Sequence, residues 1–189
     1  MKFSMIILIL LCTAFSVSSQ PANGFSVAQK ELYDQLKAYN FIETEYKGYQ
    51  NPDTSVVWQK ADNLFKELSL KEIVSCFNDS SYTTRYFAFL KLLPQNDSLA
   101  FEKLSQCMND STQILFWFNN SAGEKKFNQL LAGEYKKFIE VKYRMGGAVT
   151  LADRYYLGEN TYYFPKFNAA LWKQKYNQFT RLCILYGLN

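Results

Sequence analysis

The stretch from Ser69 to Leu93, S-L-K-E-I-V-S-C-F-N-D-S-S-Y-T-T-R-Y-F-A-F-L-K-L-L, constrains the fold more than any other part of the chain. It reads as two short apolar helices joined at Asn78-Asp79-Ser80. Thirty-one residues on the elbow recurs, with Cys107-Met108-Asn109-Asp110-Ser111-Thr112 echoing Cys76-Phe77-Asn78-Asp79-Ser80-Ser81. A fixed period with a shared turn is the signature of a helical repeat. The echo predicts four antiparallel helices over 69–119, with elbows at Asp79 and Asp110. The expected class is therefore all-α: a short α-solenoid of antiparallel helix pairs, with extra N- and C-terminal helices.

The flanking segments fit that class. Ser26 with Gln29, Ser69 with Glu72, and Ser121 with Glu124 each have capping-box spacing, in which two side chains satisfy orphan N–H groups at a helix start. Ala28, Leu32, Leu36 and Tyr39 recur at helical spacing, as do Val57, Ala61, Leu64, Phe65 and Leu68. Gly48 to Pro52 is a breaker cluster, after which Asp53 or Thr54 can cap the next helix. Pro94 stops the helix that begins at the first elbow. Asp97 or Ser98 caps the one after it, and Thr112 to Phe118 reads as a short aromatic helix. A long helix follows over Phe127, Leu130, Leu131, Tyr135, Phe138 and Val141. Thr150 to Leu157 reads as a short helix. The last helix carries Ala169, Trp172, Tyr176, Phe179 and Cys183.

Export is legible at the start. Lys2 precedes the mostly apolar run Met5 to Val17, too short for a membrane span, and Val17-Ser18-Ser19 offers the small residues a signal peptidase reads. The expected organisation is a signal peptide over 1–19 and a single α-helical domain over 20–189, in a periplasmic or secreted protein. Leu11 stands before Cys12 where a lipoprotein signal has Gly, Ala or Ser, so a soluble product is expected rather than a lipid-anchored one. No later segment is apolar and long enough to span a bilayer.

The residues around the first elbow resemble a HEAT repeat. That pattern has a turn Asp, a β-branched or hydrophobic residue five positions on, a basic residue directly after it, and Ala three further. Here these are Asp79, Thr84, Arg85 and Ala88, followed by Leu92. The resemblance covers about residues 66–121 and extends to the small exported HEAT-repeat proteins of Bacteroidetes bacteria. It implies that Asp79, Arg85 and Asp110 form a polar ladder at the elbows, with Arg85 paired to one of the two aspartates. In the second repeat Asp110 is kept, but Phe116 stands in place of Arg85 and Asn119 in place of Ala88.

The chain has no histidine, which removes the commonest general base and the commonest zinc ligand together. No catalytic, cofactor or metal motif is present. Cys76, Cys107 and Cys183 fall on apolar stripes and read as buried structural thiols, with Cys76 and Cys107 held apart by the repeat spacing. Charge is unevenly placed. Residues 20–121 carry 9 basic and 12 acidic side chains, residues 122–189 carry 11 and 5, and no acidic residue follows Glu159. Lys166, Lys173, Lys175 and Arg181, interleaved with Tyr155, Tyr156, Tyr162, Tyr163, Phe164 and Trp172, are the interaction-like feature. The expected function is that of a non-enzymatic binding or scaffold module of the cell envelope. Its partner would be another protein or an envelope glycan and not nucleic acid. A small exported hydrolase is the alternative.

Overall fold

The computed structural model describes residues 24–44, 46–47, 53–118, 121–144 and 169–188. These are mostly helical. The expected signal peptide over 1–19, the helix over 150–157, Lys166 and the 155–164 aromatics lie outside the described residues.

The first helix, α1 (Val27–Lys37), starts at the expected Ser26–Gln29 capping box. α2 (Val56–Phe65) is capped by Ser55 rather than by Asp53 or Thr54, with Ser55 Oγ accepting from the Trp58 amide at 3.2 Å. α3 (Leu70–Phe77) starts at the Ser69–Glu72 box, and the hydrogen bonds from Ser69 hold the exposed Glu72 carboxyl below its usual range. α4 (Tyr82–Gln95) begins after the elbow, capped by Ser81. α5 (Asp97–Cys107) is capped by Asn96 and not by Asp97, whose side chain pairs over a longer range.

α4 is the central element and packs against α1, α2, α3, α5 and α6. Tyr86, Phe87, Ala88, Phe89, Leu90, Leu92 and Leu93 are all buried along it, so it is apolar nearly all round, as a helix surrounded by others must be. Each large side chain buried there contributes roughly 1.5–3 kcal/mol of transfer free energy. Pro94 lies inside the last turn, where its ring no longer interrupts a long helical ladder; the chain leaves the helix two residues later.

The expected four-helix repeat fails at its last element. Gln113–Phe118 forms a strand, β4, not a helix. Ile114 and Phe116 are buried while Leu115 and Trp117 are more than a third exposed, so the period is two and not 3.6. Ser121–Lys126 is also a strand, β5, antiparallel to β4 with Gln113 opposite Lys126. The Ser121–Glu124 capping box is therefore a false signal, because ladder pairing with β4 satisfies the same backbone. On the other edge β1 (Phe41–Glu43) runs parallel to β4, Ile42 opposite Phe116, giving a three-stranded sheet of order β1-β4-β5. A short hairpin pairs β2 (Tyr46–Lys47) with β3 (Asp53–Thr54) across the breaker cluster. The all-α reading holds approximately: the described residues are mostly helical, with a small mixed sheet that the expectation lacked. Thr83 Oγ1 straps β1 to α4 by donating to the Tyr39 and Phe41 carbonyls, at 2.9 and 3.0 Å. Buried Ser55 completes the strap by donating to Glu43 at 2.5 Å.

α6 (Phe127–Ile139) follows β5 directly and continues as a π-helical turn, Glu140–Arg144. No side chain caps it. Instead the second elbow does: the Phe127 and Asn128 amides donate to the Thr112 and Asp110 carbonyls. The final helix, α7 (Ala169–Leu185), packs on α6 and its π turn. Among the described residues no helix is long and apolar enough to cross a membrane.

Candidate functional site

The two elbows are polar knots. At the first, buried Asp79 accepts hydrogen bonds from Tyr33 Oη, from Lys37 Nζ at 3.0 Å and from the Ser81 amide at 2.7 Å. Burial pushes its carboxyl up, but these donors together outweigh burial and hold it below the usual aspartate range. Burial, then the bond to Asp79, raises the Tyr33 phenol. At the second elbow Arg85 reaches Asp110 at 3.2 Å and the Cys107 thiol at 3.1 Å. Its guanidinium lies over the Phe127 ring at 4.6 Å and the Tyr82 ring at 5.0 Å. Tyr82 Oη donates to Thr112 Oγ1 at 2.9 Å. Arg85 thus pairs with an elbow carboxylate as its spacing predicts, but with the following elbow only, Asp79 being taken by α1.

The bonds of these knots hold elements together, α1 to the first elbow and α4 to the second. Arg85→Lys is expected to lower stability by about 1–2 kcal/mol, because a point charge cannot serve Asp110, the thiol and the Phe127 face together. Urea unfolding measures this, and an unchanged midpoint would reject the knot as a structural element. The three described cysteines are free and buried. Burial, then Asp79 and Glu72, push the Cys76 thiol up to about 12, and burial raises Cys107 and Cys183 as well, so all three are thiols at neutral pH. Among the described residues no three Cys, Asp or Glu side chains gather as a metal would require.

The open feature lies between α6 and α7. α7 runs back along α6. Lys175 near its start and Lys142 at the π turn both reach Asp97, at 3.4 and 3.7 Å, while its far end lies beside the first turns of α6. Between the helices is a groove of about 430 Å³. Gln129, Gly133 and Lys136 line it from α6, and Tyr176, Thr180, Cys183 and Ile184 from α7. Tyr135 and Phe179, 5.7 Å apart, pack beneath. Tyr176 stacks on Trp172 at 5.1 Å.

Gly133 sits in the middle of α6, where glycine costs roughly 0.5–1 kcal/mol relative to alanine. A Cβ added there meets nothing within 4 Å. Nothing within the described fold therefore asks for glycine at this place. Gly133→Ala is expected to raise stability by about 0.5–1 kcal/mol, read as a higher Tm; a lower Tm would mean that the fold itself packs on this position.

The four cations expected at this end separate. Lys166 is outside the described residues. Lys175 is half-buried and paired with Asp97, so it belongs to the docking of α7 and not to a free surface; sequence distance hid its partner. Lys173 is exposed, and helical spacing puts it on the same face of α7 as the groove-lining Thr180 and Ile184, three residues before Tyr176, where the lining begins. Arg181 is exposed on an adjoining face. Lys136, on the groove wall, was missed. Its signal was the Ala132-Gly133 break in an otherwise strong helical pattern, which marks a face where side chains are kept small. Among the described residues no carboxylate pairs with Lys136 or Lys173. No family model, curated protein or solved structure matches this chain.

Proposed function

We propose that this is an exported, non-enzymatic binding module of the cell envelope that holds another macromolecule on its C-terminal third. The observation that carries this reading is the α6–α7 groove: apolar floor, an unfilled space over Gly133, and Lys136 on its wall with no carboxylate paired to it among the described residues. The polar clusters elsewhere, at Asp79 and around Arg85, are spent on internal bonds. We further read α3 and α4 as one HEAT-like hairpin, supported by the Asp79–Arg85–Ala88 spacing and by Arg85 reaching the next elbow. α5 begins a second unit that β4 replaces before it is complete.

The test is capture from envelope extracts with the immobilised 20–189 chain. Lys136→Glu with Lys173→Glu is expected to reduce the captured material, more at low salt than at high, because exposed charges are screened within about 8–10 Å at physiological ionic strength. Lys175→Glu is expected to act differently: it opposes Asp97 and loosens α7, so its Tm falls. Capture that is indifferent to the Lys136 and Lys173 reversals at every salt concentration rejects this surface.

A further inference from the structure

We infer that the α6–α7 groove is a seat for one acidic amphipathic helix of a partner protein, laid against Gly133. This rests on the binding reading above and names the partner's chemistry. Three observations converge on it. The α6 wall of the groove runs from Gln129 to Lys136, seven helical steps or roughly 10 Å. That is the span of apolar anchors at i, i+4 and i+7 on a docked helix. Gly133 falls mid-way along this wall with open space where a side chain would be. Helices that approach closely place small residues at the crossing, since interaxial distances near 8–10 Å depend on the side chains there. A single ligand side chain would not need so bare a stretch of helix backbone.

The third observation is charge. Lys136 stands on the α6 wall, Lys173 lies just past the groove's end on the same face of α7 as Thr180 and Ile184, and no carboxylate pairs with either among the described residues. The chain from 122 to 189 carries 11 basic and 5 acidic residues. A second copy would bring the same cations face to face in a symmetric contact, which like charge opposes. An amphipathic helix with carboxylates beside its apolar stripe covers the floor and meets Lys136 on the wall and Lys173 beyond the groove's end. Exposed Ile184, which forms part of the α7 wall, then gains cover.

The experiment uses the 20–189 chain and a synthetic peptide of roughly 15 residues, a length at which an isolated helix begins to hold. It carries Leu at i, i+4 and i+7 and Glu beside them; a second peptide replaces Glu with Lys. Calorimetry gives the affinity, and the Gly133 and Thr180 amide resonances locate the site. The acidic peptide is expected to bind and shift both resonances, and the basic one to bind far more weakly. Gly133→Leu is expected to abolish binding while keeping the fold, because leucine is a good helix former and meets open space. Lys136→Glu with Lys173→Glu is expected to weaken binding roughly five- to thirtyfold. The inference is overturned if the acidic peptide fails to bind, if Gly133→Leu binds it unchanged, or if the free chain dimerises through this groove. Should it fail while capture from envelope extracts still depends on Lys136 and Lys173, the partner is not a helix but the binding reading survives.

Discussion

Asp79→Ala is expected to lower the unfolding free energy by about 2–4 kcal/mol. The carboxylate is one of the few charged groups out of water in this fold, and it accepts from two elements: α1 through Tyr33 and Lys37, and the start of α4 through the Ser81 amide. Removing it strands the Tyr33 hydroxyl in a buried site and uncaps the elbow. The cost of an unmet buried donor, about 1–3 kcal/mol, is the larger part of the loss. Lys37 is partly exposed and recovers water, which keeps the total below that of a fully buried pair. Acid should act on the same bond. The carboxyl is held below its ordinary value in the folded state, so its contribution is complete above the unfolded pKa of about 3.9 and is lost as pH falls through the folded value. Asp79→Asn should flatten the acid limb of the stability profile while retaining part of the neutral stability. An acid limb identical to that of the parent would show that Asp79 is not its source.

Phe89→Ala should cost more, about 3–5 kcal/mol. Phe89 is fully buried on α4 and packs beside Phe77 of α3, with ring centroids 6.3 Å apart. α4 is packed on by α1, α2, α3, α5 and α6, and a fully buried site on such a helix relaxes poorly into the space a lost ring leaves. In urea the midpoint should fall with the slope unchanged, since the surface exposed on unfolding is nearly the same. A loss under about 1 kcal/mol would mean that α4 repacks freely and is not the centre of the fold.

Much of the helical frame was readable because its signals are local. Ser26–Gln29 and Ser69–Glu72 act within one turn, and Ile73 with Phe77 mark a face by themselves. The sheet was not readable, for the opposite reason. β4 is short and aromatic, and what decides its conformation is β1 on one side and β5 on the other. Phe116 stands where a HEAT pattern has its basic residue, and that substitution was the available hint that the second repeat does not close as a helix pair. The candidate site divides the same way. Lys173 was visible as a cation with no acid nearby in sequence, whereas only packing could show that Lys175 has Asp97 and that Gly133 faces open space.

The parallel pairing of Phe41 with Leu115 has a consequence for how such a chain can grow. A true solenoid is modular: each unit touches only its neighbours, so units can be duplicated or shed at either end, and stability rises or falls by one increment. Here a strand from before α2 is stitched to a strand after α5, so that the intervening helices are enclosed in a loop. Inserting a further helix pair between α3 and α5 would pull the two strands out of register. Melting one end would release the other. The chain should therefore unfold in one step rather than fray unit by unit, and its relatives should vary in surface and length outside this loop while keeping the number of helices within it.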